Sequence, residues 1–216
     1  MSEFWQSFTP GFSGWQFMWL LLLSAAFVIA VAVERFSYVF KKANVNAPQF
    51  MMQIRRLVEE KDYKQAASLC RRLQDKALPR VVLTVILKAA KHPRAPFRAL
   101  QTAADEGTLE VIPKLQARTN YLAMMGNIST LVGLMGTIYG LIISFRSLSA
   151  PGIDAAEKSR LLAHGIAVAM NTTLFGLAVA IPAILAYTII NSKTNRIMDE
   201  IDEHTVKLIN LMAEEE

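Results

Sequence analysis

Apolar residues along this chain are pooled rather than dispersed. Three stretches contain no Asp, Glu, Lys or Arg: Phe4 to Val33, Thr119 to Phe145, and Leu161 to Ser192. Crossing the hydrocarbon core of a bilayer takes roughly 20 predominantly apolar residues in a helix, and each stretch is long enough. No ten-residue segments of alternating polarity are visible, so the spans are expected to be helices that satisfy their own backbone hydrogen bonds. The pattern predicts spans over 15–33, 119–145 and 165–190. Between the first two, from Pro48 to Arg118, it predicts short amphipathic helices broken at Lys61-Asp62, Leu78-Pro79 and His92-Pro93. Asp62 is a natural cap for the run Tyr63 to Gln74, where Ala66, Ala67, Leu69, Cys70 and Leu73 recur at helical spacing. Past Asn191, the residues Ile197, Ile201, Leu208, Leu211 and Met212 continue the third helix with one apolar stripe, while Asp199, Glu200, Asp202 and Glu203 lie mainly off it.

Composition agrees with the pattern. Of 216 residues, 53% are hydrophobic and only 19% charged, where a soluble domain carries about a quarter charged. A soluble monomer is excluded. Charge then sets the orientation: residues 34–118 hold 17 Lys and Arg against 8 Asp and Glu, and such an excess stays on the cytoplasmic side. The expected layout is an N-terminus outside over 1–14, the first span, a cytoplasmic helical loop over 34–118, the second span, an outside connection over 146–164, the third span, and a cytoplasmic tail over 191–216. Residues 1–14 hold Glu3 and no Lys or Arg, so the first span reads as a retained anchor with Trp15 and Trp19 at the interface, not a cleaved signal. The basic loop carries no nucleic-acid-binding module, and topology accounts for its charge. Seven acidic residues in the tail against three basic ones either complement that loop or form a solvated face. The single Cys70 gives no disulfide framework. His92, His164 and His204 are far apart in sequence and near no cluster with metal-ligand spacing, so neither a metal, a cofactor nor an enzyme is expected.

The second and third spans hold the informative pattern. In the second, Gly126, Ser129, Thr130, Gly133, Gly136, Thr137, Gly140 and Ser144 step by three or four and form one helix face. Gly136 and Gly140 make a G-x-x-x-G pair, which lets helix backbones approach closely where lipid supplies no hydrophobic drive. The third span repeats the design with Gly165, Ala169, Thr172, Thr173, Gly176, Ala180 and Ala183, adds Asn171, and carries Pro182, which removes one helix hydrogen bond. These stripes are either packing seams or the wall of a shared cavity, in which Thr137 and Thr173 would offer hydroxyls. A proton relay through a membrane needs an intramembrane titratable group. Neither span has a carboxylate or a Lys, so proton coupling would have to borrow one from another polypeptide.

Two segments, Gly133-Leu-Met-Gly-Thr137-Ile-Tyr-Gly140 with Phe145, and Gly165-Ile-Ala through Thr173-Leu-Phe-Gly176-Leu-Ala-Val-Ala-Ile-Pro182-Ala to Tyr187, resemble the MotA, TolQ and ExbB proton-channel subunits. The order of parts, with Glu34-Arg35-Phe36 closing the first span, is similar too, and three spans fit ExbB and TolQ better than four-span MotA. The resemblance implies an all-α membrane protein with three transmembrane helices, the second and third extended into the cytoplasm, a cytoplasmic helical loop domain, and assembly as a pentameric ring in the inner membrane. It implies a partner, a dimer of an ExbD-like or TolR-like single-span protein whose membrane Asp carries the proton, and beyond it a TonB-like or other periplasm-spanning effector. Thr137 and Thr173 fall on the family's lumen-facing threonines. Thr172 and Asn171 join them as candidates for the ion pathway, with Gly133, Gly136, Gly140, Gly176 and Pro182 as packing residues. The sequence departs from the pattern at Val168, where ExbB and TolQ usually have Glu, and at Thr130, where Pro is common. The function so implied is a channel or stator subunit that converts proton motive force into mechanical work at the envelope. A passive scaffold that assembles other envelope proteins is the alternative.

Overall fold

The computed structural model describes residues 8–9, 14–92, 95–148 and 154–214. Among these the chain is helical: α1 (Trp15–Ser37), a π-helical turn (Tyr38–Ala43), α2 (Ala47–Glu59), α3 (Tyr63–Arg72), α4 (Ala77–Lys91), α5 (Phe97–Gln116), α6 (Thr119–Leu148) and α7 (Ala155–Glu214). Three helical stretches, within Trp15–Glu59, Phe97–Arg146 and Ala155–Ala213, are long and apolar enough to cross a membrane. The chain divides into two compact units, residues 1–33 with 118–188, and residues 34–117 with 189–216.

The first unit contains the apolar stretches. On α1 the buried residues Met18, Leu21, Ser24, Val28 and Val31 follow helical spacing, while Leu20, Leu22, Leu23, Phe27 and Ile29 are exposed, as suits a helix with lipid on most sides. Ser24 returns its hydroxyl to Leu20 O at 2.9 Å, so its polarity is absorbed within the helix. The N-terminal residues pack back on the unit: Trp19 Nε1 donates to Phe8 O at 3.1 Å, Phe8 meets Phe175 edge-on with ring centroids 5.8 Å apart, and Phe17 meets Tyr139 at 5.5 Å.

The second unit is a small helical domain. Asp62 caps α3, its Oδ1 accepting from Gln65 N at 2.9 Å, and Lys61 before it takes a φ of 57°. The expected break at Leu78-Pro79 is not found. Pro79 instead sits in the first turn of α4, where its missing N–H would have had no helical partner, and the chain turns earlier, over residues 73–76. Pro93 and Arg94 lie outside the described residues. Val85 and Ala89 of α4, Leu100 and Ala104 of α5 and Ile209 of α7 form a buried core. Helices α4 and α5 approach closely at Gly107, where a Cβ would lie 3.1 Å from Val81 Cα, and Thr84 Oγ1 donates to Ala103 O at 2.8 Å. An Arg80–Glu110 ion pair joins the same two helices at the surface.

The second span does not extend as one helix beyond its start. Helix α5 ends at Gln116 and α6 begins at Thr119, because Arg118 adopts a φ of 59°, the left-handed conformation that terminates helices. The third does extend: α7 runs unbroken from Ala155 through Pro182 to Glu214. Past residue 191 its buried stripe is Ile197, Ile201, Leu208 and Ile209, and Arg196–Glu200 at 3.1 Å and Lys207–Glu203 pair along its own surface.

Candidate functional site

In the first unit the small residues of α6 meet those of α7. Gly133 is the centre of the seam: a Cβ there would lie 3.1 Å from Thr172 O and 3.3 Å from the Cα atoms of Gly176 and Thr173. One turn on, a Cβ at Gly136 would lie 2.8 Å from Thr172 Cβ, and at Gly140 3.2 Å from Ala169 Cβ. From the other helix, a Cβ at Gly176 would fall 2.7 Å from Ser129 O and 3.0 Å from Gly133 Cα. Backbone lies against backbone, the arrangement small residues permit in lipid. The period of three and four brings all these glycines to one face because α-helical side chains repeat every 3.6 residues.

Most hydroxyls along this seam are bonded within the helix pair, while that of Ser129 is buried with no hydrogen-bond partner among the described residues. Thr137 Oγ1 donates to Leu134 O at 2.6 Å. Ser144 Oγ donates to Gly140 O at 2.9 Å. Thr173 Oγ1 donates across to Gly133 O at 3.3 Å. By the i to i−4 rule that carbonyl is also the acceptor for the amide of Thr137, so the two threonines are joined through one peptide group. Both are half-buried at the edge of the seam, and neither α6 nor the α7 segment up to Ser192 brings in a carboxylate between Thr119 and Phe145 or between Leu161 and Ser192.

The other candidate residues sit elsewhere. Thr172, expected on the lumen side, is 1% exposed and locked in the seam, donating to Ala169 O at 2.8 Å and lying 3.5 Å from Gly133 O. Its hydroxyl is buried and bonded inside the helix pair. Asn171 is two residues from Thr173 on the same helix, about 200° around the axis at 3.6 residues per turn, so the two lie on different faces of α7. Asn171 lies between Val168 and Phe175, the positions that receive the N-terminal residues: Phe8 packs on Phe175, and a Cβ at Gly14 would come within 3.9 Å of Val168 Cγ1. Val168, where the resemblance leads one to expect Glu, is 3% exposed. Covered in this way, it is suited to an apolar side chain. Pro182 is exposed on α7 and does not interrupt it.

One residue of consequence escaped the sequence reading. Arg35, noted only as the end of the first span, is 4% exposed. Its Nη2 donates to Lys114 O at 3.0 Å and Leu115 O at 2.7 Å, and its guanidinium stacks 4.7 Å from the Tyr38 ring centroid. These are two of the last carbonyls of α5, which no helical amide reaches, and a cation there also suits the helix dipole. The signal in the sequence was an Arg at the end of an apolar run, which is ordinarily an interfacial anchor. Among the described residues no group of three or more His, Cys, Asp or Glu is placed to hold a metal ion.

Comparison with known proteins bears on the whole chain. It is 28% identical over 196 residues to biopolymer transport protein exbB1 of Vibrio cholerae, covering 91% of this chain and 83% of that one. It is 33% identical over 120 residues to Tol-Pal system protein TolQ of Haemophilus influenzae, covering 54% of this chain and about half, 51%, of TolQ. The fold is similar to the structure of C. jejuni MotAB, with a TM-score of 0.60 at 18% identity, over 94% of this chain and 77% of the other. Residues 65–203, which include both glycine segments and both threonines, match the MotA/TolQ/ExbB proton channel family. This chain is therefore a multi-pass membrane protein of the MotA/TolQ/ExbB proton channel family, whose members are energy-transducing transport subunits and not enzymes.

Proposed function

We propose that this protein is the ring-forming subunit of an inner-membrane proton channel that turns proton motive force into mechanical work at the envelope. The basic segment 34–118 lies in the cytoplasm, as the positive-inside rule requires, with residues 1–14 and 146–164 on the periplasmic side. Five copies surround a dimer of an ExbD-like or TolR-like single-span protein, and a TonB-like or other periplasm-spanning effector takes up the motion.

The observation that carries this reading is the threonine edge of a charge-free seam. Thr173 and Thr137 share the Gly133 peptide, and the two spans hold no carboxylate of their own. A proton crossing here needs a titrating group from outside the chain, and the partner's Asp supplies it. Each threonine hydroxyl keeps acceptor lone pairs beside the one bond it donates, so the edge offers hydrogen-bond acceptors to a protonated carboxyl or to water next to it. The rigid glycine seam fixes their position, which a relay needs.

The test is proton flux into liposomes that contain this chain with its single-span partner. Thr137→Val with Thr173→Val removes both hydroxyls while keeping volume, and flux should fall at least tenfold with the complex still assembled. Undiminished proton-dependent work in the double variant would overturn the assignment. A gradient-independent phenotype would favour the scaffold reading.

A further inference from the structure

The second unit holds a cleft that proton transfer does not use. It lies between α2 and the last turns of α7, has a volume of about 550 Å3, and is lined by Met51, Met52, Arg55, Glu59, His204 and Lys207 among others. Two nitrogens in these walls, Arg55 Nε and His204 Nδ1, are buried and have no hydrogen-bond partner. Buried polar groups are nearly always bonded, and an orphan calls for an explanation, an ion or a water among them. Of the neighbouring cations, Arg56 pairs with Glu60 at 3.0 Å, while Lys207 makes only an exposed pair with Glu203, which an incoming oxyanion can exchange. Arg55 makes no ion pair among the described residues.

Arg55, His204 and Lys207 gather near one carboxylate. The Glu203 carboxyl is held below its usual range chiefly by Lys207, with His204 and Arg55 adding to the effect. The cleft also lies beyond the lipid headgroups. His204 is 12 residues past Ser192, where the charge-free stretch ends, about 18 Å along α7 at 1.5 Å per residue. The headgroup layer on each side of a bilayer is only about 5–8 Å deep. A soluble ligand fits this position and a lipid does not.

We propose that this cleft binds a small soluble phosphate monoester, its oxyanion held by Arg55, His204 and Lys207 and its organic body laid against Met51 and Met52. Three donors from separate side chains match the three terminal oxygens of a phosphate ester. The Arg fork prefers such oxyanions, and methionine side chains adapt to varied apolar shapes. An occupant would bridge α2 to α7, the helix that also carries Thr173.

The experiment is titration calorimetry on the full chain in nanodiscs, with adenosine monophosphate as the probe ester and inorganic phosphate as competitor, at constant ionic strength. Expected is saturable binding at one site per chain, competed by phosphate, and equal in phosphatidylcholine discs with and without phosphatidylglycerol. Arg55→Gln and His204→Gln should each weaken it by about tenfold or more, the loss expected of a charged or buried hydrogen bond. Lys207→Gln, at an exposed position, tests the same cleft if either of those fails to fold. Absence of saturable binding, unchanged affinity in all folded variants, or displacement of the probe by phosphatidylglycerol would each overturn the proposal.

Discussion

The seam makes a sharp prediction at Gly176. An alanine there places its Cβ 2.7 Å from Ser129 O and 3.0 Å from Gly133 Cα. Both obstacles are backbone, so no rotamer change relieves them. Ordinary carbon contacts lie at about 3.5–4.0 Å, and a gap of 0.5–1 Å forfeits roughly a quarter to a half of each contact's attraction. Separating α6 from α7 by about half an ångström therefore weakens every contact along the seam. Overpacking of this kind costs about 1–3 kcal/mol, and the better helix propensity of alanine returns up to about 1 kcal/mol. The net expectation is a loss of about 1–2 kcal/mol. Gly140→Ala is the internal control, because its Cβ would meet Ala169 Cβ at 3.2 Å, which a shift of tenths of an ångström accommodates. The assay is reversible unfolding of the purified protein in mild detergent titrated with a denaturing detergent, followed by circular dichroism. If Gly176→Ala is as stable as the parent while Gly140→Ala is destabilised, the close approach at Gly133 and Gly176 is wrong.

Three further outcomes are expected. Arg35→Met should cost about 2–3 kcal/mol, since it strips two carbonyls of a charged donor, and amide exchange should rise first at the end of α5. Burial pushes the Cys70 thiol up to about 12. Its stabilising contribution is then complete below the unfolded value of 9.0 and is lost as pH rises from there toward 12. Cys70→Ala should flatten that alkaline decline in denaturation, and in the parent the thiol should react with an alkylating agent only on unfolding. Glu110 is held below its usual range by hydrogen bonds from Arg80 and then Lys114. That contribution is present above the unfolded carboxylate value and lost as pH falls through the folded one. At a half-exposed site it is worth under about 1 kcal/mol, so Glu110→Gln should lose less than that at pH 7, and the loss should shrink as the pH is lowered through the carboxylate range.

Much of this molecule was legible in the chain because lipid imposes strict rules. A helix must close its own hydrogen bonds in a bilayer, so the charge-free stretches translate directly into spanning helices. The period of small residues likewise marked the seam, since only Gly, Ala, Ser and Thr allow the Gly133 and Gly176 backbones to meet. Asp62 announced a helix start through its side-chain oxygen. Pro79 misled, because a proline marks a break only where its amide would have been bonded, and in the first turn of α4 it would not have been.

Sequence by itself determined the class, the number of spans and the face on which the small residues lie, all local or periodic properties. Tertiary structure alone decided which side chains on that face remain open. Thr172 and Thr173 are neighbours of one type, yet α6 covers the first and leaves the second at the edge, a difference of 100° that only the position of the facing helix resolves. Arg35 gripping α5, and Arg55 lining one cleft with His204, join positions about 80 and 150 apart in the chain. No period or propensity encodes such meetings, because they arise from how packed helices close on one another.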